Sequence, residues 1–298
     1  MLILNEEKYA KAVYDRVNQD VKSIMEKIRC VTRYLLHTEH QSDTDNYVRT
    51  VKWLQQHHDN FDESNYSNLI ADAIKKAHKY PFYNIDSIKI TQSELDTIAS
   101  LNDLRAEKVL FVLLCMAKQQ RASYNFTNGL VRYSLSDLCK MARISVPADD
   151  REYILYNIVK QGHLGYPKKN NTQCLIVNFI DDTSDVVLDL GEMHCQELAY
   201  EYLQWKNGGQ GYARCEFCGK VIKQYKSHPR RFCSVCEEVL GDVPSNIKVK
   251  VCIDCGQVIY VPLLNTKTCR CEECQAEASI ESNRISSRER MRKYRDSR

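Results

Sequence analysis

Near its C-terminal end the chain spells CEFCGKVI over residues 215–222, and thirty-seven positions later it nearly repeats itself as CIDCGQVI over residues 252–259. Each copy is followed by a second C-x2-C pair, so the full pattern is Cys215-x2-Cys218-x14-Cys233-x2-Cys236, then Cys252-x2-Cys255-x15-Cys271-x2-Cys274. A C-x2-C pair lets one tight turn supply two thiolates, and two such turns complete a tetrahedral four-sulfur site of the kind zinc prefers. Gly219 and Gly256 follow the second cysteine of each opening pair, where a sharp turn favours a residue without a side chain. The Val-Ile pairs that come next are expected to begin a short hairpin returning to the second cysteine pair. Cys269, in CRCEEC, stands as an alternative ligand to Cys271.

Disulfides are the competing use of so many thiols. Nine of the fourteen cysteines lie after residue 214 of a 298-residue chain, and such clustering in a large chain points to a metal. A redox-active C-x-x-C would need a thioredoxin-like strand-to-helix setting, which the flanking sequence lacks. Iron–sulfur ligation is the remaining alternative. The start, MLILNEEKYAKAV, turns charged after four residues, and no run is long enough to span a bilayer. A cytoplasmic protein without membrane attachment is the expectation. The other cysteines, Cys30, Cys115, Cys139, Cys174 and Cys195, sit in apolar or helical patterns and read as small core residues.

Two topologies fit eight ligands. Interleaved cross-brace sites, as in RING and FYVE modules, keep the second and third pairs a few residues apart, whereas fifteen residues separate Cys236 from Cys252. The repeat favours two sequential units resembling tandem zinc ribbons or treble clefs, with two structural zinc ions. All-cysteine sites are coordinatively closed, so these metals are expected to fold the chain rather than activate water. No H-E-x-x-H, deaminase or Walker signature occurs, and His228 is the only histidine in this region. The expectation is a protein with no catalytic residues.

The formal net charge of +3 conceals a division: residues 213–298 carry 17 Lys and Arg against 11 Asp and Glu, and the preceding part 25 against 28. Such asymmetry points to a polyanionic partner for the cysteine-rich region, nucleic acid first. Between Cys218 and Cys233, Lys220, Lys223, Lys226, Arg230 and Arg231 occur with no acidic residue, interleaved with Tyr225 and Phe232. That mixture suits phosphate contact with base stacking, although Phe232 reads better as packing on the metal site. Past Cys274 a terminal helix is expected, with Arg284, Arg288, Arg292 and Arg295 as a cationic stripe and Glu277 and Glu281 near its N-terminus. DNA and RNA remain equally open. The second loop, GQVIYVPLLNTKT, is apolar, and Val261, Leu263 and Leu264 are expected to pack on the body, the first unit or a protein partner.

The body reads as largely helical. Val21, Ile24, Met25, Ile28, Val31, Leu35 and Leu36 recur at helical spacing, followed by helices in DNYVRTVKWLQQHH and NYSNLIADAIKKAHKYP. His37, His40, His57 and His58 are expected on solvated faces rather than in a metal site. Further on come a short helix (SELDTIASL), a helix apolar all round (LRAEKVLFVLLCMAKQQ), a short strand (LVRYS), and a helix capped by Ser134 or Ser136. A helix opening near Pro147 and stopping at Gly162 or Gly165, then a hairpin in YPKKNNTQCLIVNFI, complete the stretch.

Helix, strand, helix, helix, hairpin is the order of a winged-helix domain, which this stretch resembles. The resemblance implies that the third helix and the wing, with Lys168 and Lys169, would face DNA, but that helix opens with Asp149, Asp150 and Glu152, which repel phosphate and favour protein contact or scaffolding. A strand, VVLDL, and a helix, MHCQELAYEYLQWKNGG, lead to a linker at Gly208 and Gly209. The expected organisation is α+β: a helical region (1–90), a winged-helix-like domain (91–209), and two zinc modules (210–246 and 247–298), the last with a basic helix. The arrangement looks like small accessory or regulatory proteins of bacteria and their phages. The functional expectation is zinc-dependent nucleic-acid binding, with a protein-interaction adaptor or inhibitor of a host nucleic-acid-processing complex as the alternative.

Overall fold

Four helices open the chain: α1 (Glu6–Tyr14), α2 (Ile24–His37), α3 (Asp43–His57) and α4 (Glu63–Lys79). The computed structural model describes residues 2–15, 23–124, 128–168, 174–192, 195, 197–227, 229–265, 267–282 and 284. The sequence readings at Val21, Lys169, the start of MHCQELAY, His228, Arg288, Arg292 and Arg295 lie outside them. The chain forms two compact units, Met1–Lys206 and Asn207–Arg298. Among the described residues no helix is long and apolar enough to cross a membrane.

In the first unit, Ile28, Val31 and Leu35 line one face of α2 and meet Val51, Leu54, Ile70 and Ile74 in a shared core. Side chains of Asn5, Ser42 and Asp62 accept backbone N–H bonds at the starts of α1, α3 and α4, satisfying donors a helix leaves unpaired. Arg33 clasps Glu6 at 2.8 and 2.7 Å in the interior and also donates to the carbonyls of Tyr80 and Pro81. The histidine expectation needs correction. His40 is exposed, but His37 lies 3.0 Å from the Ala77 carbonyl beside the Phe82 ring, and His57 stands edge-on to Trp53. His37 is thus held by groups far along the chain, whereas the ring beside His57 comes from one turn earlier in the same helix.

The rest of the first unit is built on α6 (Leu104–Tyr124), whose residues 109–115 are all buried, as an all-round apolar helix requires. Around it stand β1 (Ile88–Thr91), α5 (Gln92–Ala99), β2 (Leu130–Arg132), α7 (Leu135–Met141), α8 (Ala148–Lys160), β3 (Leu164–Gly165), β4 (Cys174–Val177), β5 (Val186–Leu190) and α9 (Leu198–Lys206). Ser134 caps α7, Pro147 precedes α8, and Gly162 takes φ +84° just after it. Strands β2, β4 and β3 form an antiparallel sheet in that spatial order, with Val131 opposite Leu175 and Leu164 opposite Val177. Strand β1 was not legible in the sequence; it pairs antiparallel with β5 across about half of the unit's sequence. The five scattered cysteines are all buried.

Candidate metal centres

The second unit contains two similar halves. Strands β6 (Tyr212–Arg214) and β7 (Val221–Lys223) form a hairpin, and its tip carries Cys215 and Cys218. Strands β8 (Ile247–Val251) and β9 (Val258–Pro262) form another, with Cys252 and Cys255 at the tip. The expected direction of these hairpins is thereby corrected: each Val-Ile pair is the return strand of a hairpin entered upstream of the cysteines. The reversal is made inside the cysteine turn. The Gly219 N–H bonds the Cys215 carbonyl at 2.9 Å with φ +75° at the glycine, and Gly256 repeats this on Cys252 at 3.0 Å with φ +74°.

The remaining ligands come from helix starts. Cys233 is the N-cap of α10 (Ser234–Leu240) and Cys236 lies in its first turn. Cys271 immediately precedes a helical stretch over 272–282, with Cys274 in its first turn. Cys215, Cys218, Cys233 and Cys236 form one group, and Cys252, Cys255, Cys271 and Cys274 a second, the sulfurs of each lying within 4.8 Å of one another. The pairs are therefore used sequentially. Cys269 is exposed and outside both groups.

The donor set fits a metal ion. Four thiolates about 2.3 Å from zinc define a tetrahedron with edges of about 3.8 Å. The Sγ atoms of Cys218 and Cys233 are 3.8 Å apart, and those of Cys255 and Cys271 3.7 Å. Backbone dipoles prepare the leading thiolate of each group: the Cys233 N–H points at Cys215 Sγ and the Cys271 N–H at Cys252 Sγ, both at 3.3 Å. Burial pushes the Cys215 thiol up, but N–H groups of Cys218, Cys233 and Phe217 outweigh it and bring it down to about 7. At Cys252 the N–H groups of Cys255 and Cys271 bring the thiol down to about 6. Cys236 is driven upward by burial and by the crowded sulfurs, and Cys274 by its Cys271 and Cys255 neighbours, the repulsion a dication would relieve.

The first group is the more enclosed, with Cys215, Cys233 and Cys236 buried, whereas Cys255 of the second is exposed. Phe232 is buried beside the first group, as expected, and packs with Ile222, Leu240 and Val249 of β8. The two halves thus share one apolar cluster. Val261 is buried, but Leu263 and Leu264 are not, Leu264 being 95% exposed.

The cationic residues divide sharply. Lys223 and Lys226 are exposed, and Lys223 Nζ lies 5.3 Å from the ring centre of exposed Tyr225. Lys220 is half-buried at the base of the turn. Arg230 faces Glu237 of α10. Arg231 donates to both oxygens of Glu216 and to the carbonyls of Pro244 and Ile247. Arg284 is exposed and 3.5 Å from Glu281. The second half contains a matching pair, Arg270 to Asp254 at 2.5 Å. These turn carboxylates, Glu216 and Asp254, were missed in the sequence. Their signal is an acid inside each opening C-x2-C and an arginine shortly before each third cysteine.

Comparison of the chain with family models, curated proteins and solved structures returned no match.

Proposed function

We propose that this chain is a zinc-dependent, non-enzymatic nucleic-acid-binding protein of regulatory or accessory type. The observation that carries the reading is the end of β7 and the loop after it, where Lys223, Tyr225 and Lys226 are exposed close together in sequence, between the two cysteine pairs of the first four-cysteine group. Two ammonium groups beside a phenol ring suit phosphate contact with an unstacked base. Lys220 and exposed Arg284 extend the cationic surface in this reading, Arg288, Arg292 and Arg295 add positive charge to the sequence that follows, and Arg230 and Arg231 act indirectly through their carboxylate partners. A hairpin tip facing a helix start supports the treble-clef resemblance of each half, and the spatial order β2-β4-β3 supports the winged-helix resemblance of the body.

The test is fluorescence anisotropy of the zinc-loaded protein with labelled single- and double-stranded oligonucleotides across a salt series. Affinity should fall steeply with salt, and Lys223→Ala with Lys226→Ala should flatten the slope by about 1 per lysine. Absent or salt-independent binding defeats the reading. The second reading, an adaptor or inhibitor docking on a nucleic-acid-processing complex, is favoured by the exposed Leu263 and Leu264. A nuclease-treated pull-down that recovers one defined protein separates the two.

A further inference from the structure

Helix α8 buries Ile154, Leu155 and Ile158 and turns a second face outward. On that face Asp149, Glu152, Tyr153, Tyr156 and Lys160 follow one another at helical spacing, all exposed. Tyr153 is 64% exposed and Tyr156 58%, and Tyr166, just past β3, is 61% exposed. Favourable charge at a helix N-terminus accounts for Asp149, and it does not account for two phenols left in water on one helix face.

The chemistry of that surface selects a cation. Arg151 is turned away, its Nε bonded to the Val146 carbonyl at 3.0 Å, so the opening of the helix presents carboxylates next to aromatic faces. Phosphate would be repelled there. A guanidinium can stack on a tyrosine ring and donate a fork of N–H bonds to a carboxylate, which an ammonium cannot do. We propose that this face of α8 docks an arginine-bearing protein segment, with guanidinium planes on Tyr153 and Tyr156 and their charge taken by Asp149 and Glu152. The site stands independently of nucleic-acid binding by the cysteine-rich unit.

The probe is a fluorescein-labelled octa-arginine peptide, read by anisotropy on the full-length zinc-loaded protein, with octa-lysine alongside. Octa-arginine should bind more tightly than octa-lysine. Tyr153→Ala with Tyr156→Ala should weaken octa-arginine binding about tenfold, with an unchanged circular dichroism spectrum because both side chains are exposed. Asp149→Asn with Glu152→Gln should weaken it too and reduce its salt dependence. No octa-arginine binding, equal binding of the two peptides, or full binding by the tyrosine variant would each overturn the proposal. So would loss of single-stranded oligonucleotide binding in the tyrosine variant, which would reassign the face to nucleic acid.

Discussion

Arg231 faces Glu216 as a two-pronged pair, Nε to Oε1 at 3.0 Å and Nη2 to Oε2 at 2.7 Å, and the same guanidinium reaches the carbonyls of Pro244 and Ile247. Glu216 lies inside the first cysteine turn, and Ile247 begins the second hairpin. One side chain thus ties the first metal turn to the entry of the second half, with Val249 packed into the shared cluster beneath it. Only arginine presents donors enough, in a rigid fork, to serve all of these acceptors.

Replacing Arg231 should therefore destabilise the second unit more than replacing its neighbour. Arg231→Ala is expected to lose about 2 kcal/mol, because charged hydrogen bonds are broken and carbonyls lose their donor. Arg230→Ala should lose less than about 1 kcal/mol, since its pair with Glu237 is a surface one. Urea unfolding of the zinc-loaded protein, followed by far-ultraviolet circular dichroism, measures both. Equal effects would mean that Arg231 does not join the halves.

Chelation should release two equivalents of zinc per chain and unfold the second unit, because the metal-ligand bonds supply much of the folding energy of such small modules. Both tryptophans, Trp53 and Trp205, belong to the first unit, so their fluorescence should stay unchanged. Cys218→Ser and Cys255→Ser should each reduce the released zinc to one equivalent, whereas Cys269→Ser should leave two. A drop to one in the last variant would place Cys269 among the ligands.

Phe111 is fully buried in α6, its ring 5.2 Å from that of Tyr202. Phe111→Ala should lower the stability of the first unit by about 3–5 kcal/mol through lost burial and the cavity left behind. Phe111→Leu should lose less than half of that. Tryptophan-monitored unfolding reports the difference, and a small effect from the alanine variant would place the centre of the core elsewhere.

Asp181 accepts hydrogen bonds from Ser184, Ser93 and Thr183, and these hold its carboxyl well below the usual aspartate range. A depressed carboxyl contributes stability above its unfolded value, near 3.9, and loses it as pH falls toward the folded value. Asp181→Asn should consequently be less stable than the parent at neutral pH, and the gap should begin to close below about pH 4. Tryptophan fluorescence in urea at a series of pH values measures this for the first unit alone. A gap that stays constant from pH 7 to about pH 3 would show that the hydroxyl cluster does not favour the ionised form.

What sequence alone determined was local. Chelate spacing announced both cysteine groups, because two ligands from one turn require C-x2-C; all-round apolarity announced the buried α6; and Pro147 marked the start of α8. Tertiary structure decided what depends on partners distant in the chain. It paired β1 with β5 and set His37 against the Ala77 carbonyl and the Phe82 ring. It also matched Arg231 to Glu216 and left Tyr153 and Tyr156 in water. Helical period, caps and chelate spacing are fixed by neighbours within a few residues. An arginine's role, by contrast, depends on which carboxylate the folded chain brings within about 3 Å, and that contact exists only after the intervening loops have closed.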